Sequence, residues 1–412
     1  MRRTCDQRLE MTLENACALI VDCPHTTAQD EGVGYPLVRT PNIGYGRLVF
    51  DKMHRVSRAV YDIRNKRAKP LPGDLIYARE APAGNVALIM PGQEVCLGQR
   101  TVLIRPNPEI VDSAFLTYYL LAPAQRNKLL GTATGATVAH VNVPAIRNLE
   151  ISLPPLPAQK RIADILSAYD DLIENNRRRM EILEESARLI YRKMFGTNKK
   201  RTNLLHLEDF VERTISGDWG KESPDRKCTE KIMCLRGADI PSLRYRDFGK
   251  GIVRFVTPQH VEERAMKDGD LFVEMSGGSP TQATGRVGLV SSHLLRDAEL
   301  PVLCTNFCRV IRPKPRHAFF LYLAWLDLYD QDLMFMFEHS AIALKNFDLD
   351  LFLKKILVVK PEDSQLRDFN EKIAGVMDQM DVLGGENRRL IKARDILLPK
   401  LMNGELAVGK VA

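Results

Sequence analysis

Apolar residues return every three or four positions from Ile162 onward: Ile162, Leu166, Tyr169 and Ile173, then Met180, Leu183, Ala187, Ile190 and Met194, with Asn176 filling the one break. That alternation is a heptad seam and predicts a long amphipathic helix that packs on a second one. The second tail carries the same pattern in Leu366, Phe369, Ile373, Val376, Met380 and Leu383, then Leu390, Leu397 and Leu401, again with an asparagine, Asn387, at a seam position. Elsewhere the apolar runs are short. Asp74-Leu75-Ile76-Tyr77 and Thr101-Val102-Leu103-Ile104, bounded by Gly and Pro, predict strands. Ser113 to Leu130 and Ala318 to Phe337 predict helices.

The pattern is written twice. Val38, Arg39, Asn42 and Ile43 lie against Leu235, Arg236, Asp239 and Ile240, and Gly73-Asp74-Leu75 against Gly269-Asp270-Leu271. Gly84-x-Val86-x-Leu88 answers Gly285-x-Val287-x-Leu289, Arg105-Pro106-x-Pro108 answers Arg312-Pro313-x-Pro315, and Asn142 answers Asn346. The order is kept throughout, which points to duplication of half the chain. The predicted fold class is α+β: two similar globules separated by a long antiparallel two-helix coiled coil, with an internal pseudo-two-fold. The expected boundaries are 1–152 for the first globule, 153–200 for the first spacer helix, 201–358 for the second globule, 359–406 for the second helix and 407–412 for a tail. At 1.5 Å per residue the rod would be roughly 55–60 Å long and hold the globules apart.

Asn176 and Asn387 each fall near the middle of their helix. Either they meet and set the register, in which case Leu at either position raises stability while loosening alignment, or both are solvated on a rim. Gly384-Gly385 interrupts the second helix and predicts a kink or weak spot, and Pro399 falls in its last turns.

A chain of 412 residues has room for two or three cores, and 45% hydrophobic with 27% charged residues excludes wholesale disorder. The apolar runs are too short for a membrane span, and the start of the chain reads unlike a signal peptide, so the cytoplasm is expected. Cys304-x3-Cys308 lacks a second ligand pair, so core thiols are expected and no metal. Net charge is only +7, but Arg47 to Lys69 and Lys221 to Arg254 are locally basic. Two basic regions suit a polyanion touched at two places, or simply two solvated faces.

Catalytic motifs do not assemble. An Asn/Asp-Pro-Pro-aromatic loop for a flipped adenine does not occur, since Pro154-Pro155 lacks both flanks. Gly217 to Glu222 has neither the spacing nor the hydroxyl of a phosphate loop, Pro224-Asp225-Arg226-Lys227 lacks the acidic partner of a nuclease core, and the histidines are scattered. No catalytic residue and no cofactor of the chain's own is expected.

The two-fold repeat, the Leu153-Pro-Pro-Leu-Pro-x-Gln159 lead into the first helix, the following Ile162-Ala163-x-Ile165-Leu166, the Glu-Asn-x-Arg segments and the opening Asp22-Cys23-Pro24-His25-Thr26 together resemble the specificity subunits of type I restriction–modification enzymes. The resemblance spans nearly the whole chain. It implies two target-recognition domains that each read one half of a split double-stranded DNA site, with helices that dock two adenine methyltransferase subunits. It also implies restriction and translocase subunits joining that core, with S-adenosylmethionine, ATP and magnesium on those partners. The candidate phosphate contacts are Lys52, Arg55, Arg58, Arg64, Lys66 and Arg67 in the first domain and Lys227, Arg244, Arg246 and Lys250 in the second. Arg39, Asn42, Arg79, Arg236 and Asp239 are either base readers or scaffold; Arg79 faces Met275 in the repeat, so its role is not duplicated. The rival readings are a non-catalytic coiled-coil adaptor and the recognition subunit of a related split-site system that cuts on both sides of its target.

Overall fold

The computed structural model describes residues 8–133, 139–196, 203–278, 282–341 and 344–406, so the tail at 407–412 lies outside the described residues. The chain forms two compact units, Met1–Leu172 with Leu390–Ala412 and Ile173–Arg389. Each unit takes one α+β globule together with part of both long helices, Leu156–Phe195 and Asp363–Met402.

The globule of the first unit holds a five-stranded sheet in the order Cys17–Asp22, Thr101–Pro106, Leu75–Ala78, Val86–Leu88, Gly46–Arg47. Beside it lies a three-stranded sheet, Arg55–Val56, Tyr35–Val38, Cys96–Leu97, whose last two strands run parallel. The second unit repeats the design with Val211–Ser216, Cys308–Pro313, Leu271–Glu274, Val287–Leu289, and with Ile252–Val256, Glu230–Leu235, Val302–Cys304. The repeat extends to single bonds. Arg105 clamps Asp74 through Nε and Nη2 at 2.8 and 2.7 Å, and Arg312 clamps Asp270 at the same two distances. Gly84 and Gly285 both adopt positive φ in the same strand connection, where each amide donates back to the preceding strand.

Within the globules, three expectations need correction. The stretch Ser113 to Leu130 is two helices, Ser113–Leu121 and Pro123–Gly131, because Pro123 can only start a new one. Its counterpart ends at Asp330, where Asp332 turns left-handed before a short 3-10 turn at Leu333–Phe337. The repeat partner of Asn142 is Asp348, not Asn346. Both cap a short helix, accepting from the amides of Ala145 and Leu351, while Val141 and Phe347 donate their amides to the carbonyls of Arg79 and Met275.

Both long helices enter the cores of the globules. In the first unit Ile162, Ala163 and Leu166 share a core with Leu398, Leu401 and Met402, and with Phe115 and Tyr119 of the globule. In the second, Ala187, Tyr191 and Phe195 share a core with Leu366, Phe369 and Ile373, and with Phe320 and Trp325. The start of one helix therefore meets the end of the other, and the pair is antiparallel. Globule packing also moves the buried stripe. Asp170, Glu184, Tyr191 and Phe195 are buried where the heptad reading put Tyr169, Leu183, Ile190 and Met194, which are half-buried. The stripe keeps pace with the ~3.6-residue turn of a straight helix instead of the ~3.5 of a supercoil.

Polar groups on this stripe satisfy one another. In the first unit the buried Asp170 accepts from Arg394 Nη1 at 2.5 Å and from the Tyr118 hydroxyl at 2.6 Å. In the second, Asn176 Nδ2 donates to Asn387 Oδ1 at 3.0 Å, and Asn387 Nδ2 donates to the Ile173 carbonyl at 3.2 Å. The helix is unbroken through Gly384-Gly385. Gly384 is there for clearance, since a Cβ would lie 2.4 Å from the Cβ of Arg246.

Because Asn176 is the side chain that satisfies the buried Asn387 Oδ1, a lone Asn176→Leu leaves that oxygen unpaired and, against the expectation that Leu at either position raises stability, should lower it by about 1–3 kcal/mol, while the Asn176→Leu/Asn387→Leu double variant should recover most of that in urea unfolding. Additive losses would contradict a direct pair. Gly384→Ala should destabilise the chain, whereas Gly375→Ala in the same helix, where a Cβ meets nothing within 4 Å, should stabilise it by up to about 1 kcal/mol. Thermal denaturation of the two variants gives the comparison.

Candidate nucleic-acid interface

The first basic stretch separates into two kinds of arginine and lysine. Lys52, Arg55, Arg58, Lys66 and Arg67 are exposed. Arg58 is held by Asp62 at 3.0 Å and by the Tyr35 hydroxyl at 3.0 Å, over the Tyr35 and Tyr61 rings, so its charge sits at a fixed place on the surface. Arg55 Nη1 donates to the Gly34 carbonyl at 2.9 Å, and Arg67 Nη1 to that of Asp22 at 3.3 Å. Arg64 departs from expectation. It is 4% exposed, and its Nε and Nη1 donate to the carbonyls of Leu97 and Thr26 at 2.5 and 3.0 Å. Burial lowers its pKa, and the side chain is a bracket between loops, not a phosphate contact.

The second stretch departs further. Lys227, Lys250 and Arg244 are exposed, but Arg244, with Tyr245 and the buried Arg246, also forms a clasp on the long helices within their own unit. Arg244 pairs with the buried Glu184, and the Tyr245 hydroxyl donates to Glu181 Oε1 at 2.7 Å, both on the first helix. Arg246 is buried against the second helix, 3.3 Å from Asp381, at the position where Gly384 gives it room. The first unit has a similar clasp. Arg47 Nη2 donates to Asp171 Oδ1 at 2.5 Å and the Tyr45 ring lies 4.7 Å from the Arg394 guanidinium. Arg244 and Arg246 are thus drawn into the scaffold, because a carboxylate on a packed helix is a nearer partner than any solvent-side anion.

Asn42 and Asp239 are buried staples of one repeated turn. They accept from the amides of Arg39 and Arg236 at 3.2 and 2.9 Å, and Asp239 also pairs with the Arg236 side chain at 3.0 Å. Arg79 has a different setting. It is buried, and its Nη1 donates to both carboxylate oxygens of Asp22 at 2.8 and 3.0 Å while Nε donates to the Val141 carbonyl at 2.9 Å. Its Nη2 lies 2.7 Å from His140 Nε2. Arginine only donates, so Nε2 accepts and His140 Nδ1 carries the proton toward Glu80. Glu80 Oε2 in turn forms an ion pair with Arg100, 2.8 Å from its Nε. These groups, with His25 and Gln99, line a cavity of about 360 Å³. In the second unit Met275, Arg309, His339 and Asn346 help line a cavity of about 340 Å³. Sequence reasoning singled out Asp22, His25 and Arg79 but missed Glu80, Gln99, Arg100 and His140, which come from separate loops with no common spacing.

Cys304 and Cys308 are buried free thiols, and burial pushes the Cys308 thiol up to about 11. His293, Asp378 and Asp381 bring ligand atoms within 4.8 Å of one another, yet Asp381 is already shared by Arg246 and by the Ser291 hydroxyl at 2.8 Å. Among the described residues, no helix is long and apolar enough to cross a membrane.

The family described as the type I restriction modification DNA specificity domain matches residues 22–185. The type I restriction enzyme MjaVIII specificity subunit of Methanocaldococcus jannaschii is 31% identical over 348 residues, 79% of this chain and 77% of that relative. The chain belongs to the family of type I restriction enzyme specificity subunits. The MjaIX specificity subunit of the same archaeon is 25% identical over 86% of this chain and 83% of its own length. A further relative from that archaeon, 28% identical, is matched over 53% of this chain and 52% of itself. The crystal structure of the type I restriction–modification S subunit from M. genitalium aligns over 96% of both chains at 17% identity with a TM-score of 0.48. In this specificity subunit the exposed Lys66 and the buried Arg64, two residues apart, have opposite fates.

Arg64→Ala should therefore lower stability by about 2 kcal/mol or more through unpaired carbonyls and lost packing, whereas Lys66→Ala should leave unfolding unchanged within about 0.5 kcal/mol. In duplex-binding titrations Lys66→Ala should reduce the salt slope by about one unit without changing the preferred sequence. An altered sequence preference would remove Lys66 from the candidate phosphate contacts.

Proposed function

We propose that this DNA-specificity subunit of a type I restriction–modification system reads a split, asymmetric site, one short word per globule. The observation that carries the reading is the repeat itself, taken with family membership: two globules share their clamps, turns and strand order but not their solvent-facing side chains. A single word would need only one globule, and a symmetric site would need two alike.

The exposed Arg55, Arg58, Lys66 and Arg67 on the first globule and Lys227 and Lys250 on the second supply phosphate contacts that position without specifying. The long helices dock two adenine methyltransferase subunits. Supporting this, Leu172, Ile182 and Leu189 of the first helix and Val382 and Ile396 of the second are large apolar side chains left exposed, Ile182 by 67%. The chain itself is non-catalytic and works in the cytoplasm. S-adenosylmethionine, ATP and magnesium belong to the methyltransferase and restriction subunits that complete the complex.

Co-expressing the chain with its methyltransferase and mapping methylated adenines genome-wide tests the reading. The expected result is a motif of two unequal words separated by a fixed unread gap. A single uninterrupted word, or a perfect palindrome, would overturn it.

A further inference from the structure

Resting on the reading just given, we propose that each globule discriminates bases at one repeated surface cluster, with Arg100 reading a guanine in one word and Phe307 contacting a thymine methyl in the other. The two positions are equivalent by backbone geometry. The Arg79 amide donates to the Arg100 carbonyl at 2.9 Å, and the Met275 amide donates to the Phe307 carbonyl at 2.9 Å. The next layer is equivalent too. Val141 and Phe347 donate to the carbonyls of Arg79 and Met275 at 3.1 and 2.8 Å, which sets His140 opposite Asn346. Glu80 and His140 are hydrogen-bonded partners in the first globule, and Ser276 and Asn346 are partners at 2.5 Å in the second.

What differs is the chemistry carried by this common frame. Charged groups in the first globule, Asp22, Arg79, Glu80 and Arg100, stand where the second has Ser216, Met275, Ser276 and Phe307. The scaffold bonds around them are retained, so the change is concentrated on the cluster. Its outermost members face solvent: the Arg100 side chain is 56% exposed and Phe307 is 53% exposed. Arg100 also sits at φ +64, a conformation that residues other than glycine rarely adopt, and its side chain leaves the tip of the strand connection outward. The ion pair with Glu80 is made at Arg100 Nε, so it holds that edge of the guanidinium and leaves the terminal nitrogens as the donor pair that a guanine O6/N7 edge matches. An exposed phenylalanine has no polar group to offer a base edge, and the thymine C5-methyl is the apolar feature of the major groove.

The test is the methylated-adenine map of cells carrying the chain with its methyltransferase, comparing wild type, Arg100→Ala and Phe307→Ala. Arg100→Ala should make one G·C position degenerate in one word only, with discrimination there falling about tenfold to hundredfold. Phe307→Ala should relax one A·T position in the other word. Should an alanine variant lose methylation altogether, Arg100→Gln and Phe307→Ser decide: degeneracy or a switched preference at a single position supports the assignment, and full discrimination overturns it. A wild-type motif in two words that neither residue alters, or one blurred uniformly by both, also overturns it. A wild type with no two-word motif instead overturns the proposed function itself.

Discussion

The seam between the two long helices is the constraint on which each unit depends. It is not purely apolar. Asp170 with Arg394, and Asn176 with Asn387, are buried pairs hydrogen-bonded to one another across the seam. A one-residue slip would leave these groups unpaired away from water, at a cost that several apolar contacts would have to offset. Apolar stripes tolerate sliding far better, so the polar pairs define one alignment. Since the same helices complete the core of each globule, that alignment also decides where the strands and loops can sit within each unit.

Arginines show how context assigns a role that residue type does not. Arg64, Arg246 and Arg394 are structural, because each lies where a carbonyl or carboxylate has been buried beside it. Arg58 is pinned on the surface by a neighbouring carboxylate and two rings. Arg100 is oriented but still exposed. A basic stretch in a sequence thus mixes groups that hold the fold with groups able to meet a polyanion, and only the burial of their neighbours separates them.

Duplication gives this protein an internal control. The Asp–Arg clamp, the positive-φ glycine and the capped short helix recur in both globules because each meets a backbone requirement that any copy of the fold must satisfy. Exposed positions on the same frame carry no such requirement, and it is there that Arg100 and Phe307 diverge. The divergence is what a family of DNA-specificity subunits needs if one chain is to read two different words.

The α+β class, the repeat, the two long helices and their antiparallel sense were legible in the chain, because hydrophobic periodicity and colinear motifs are properties of order along the sequence. The asparagines were found the same way, by their place on a seam. The tertiary structure alone decided which flank of each helix is buried, why Gly384 is a glycine, and that Arg246 serves the scaffold. It also brought Asp22, Arg79, Glu80, Arg100 and His140 to one place. Those outcomes depend on contacts between residues far apart in the chain, and spacing along a sequence carries no record of which distant groups will exclude water from one another.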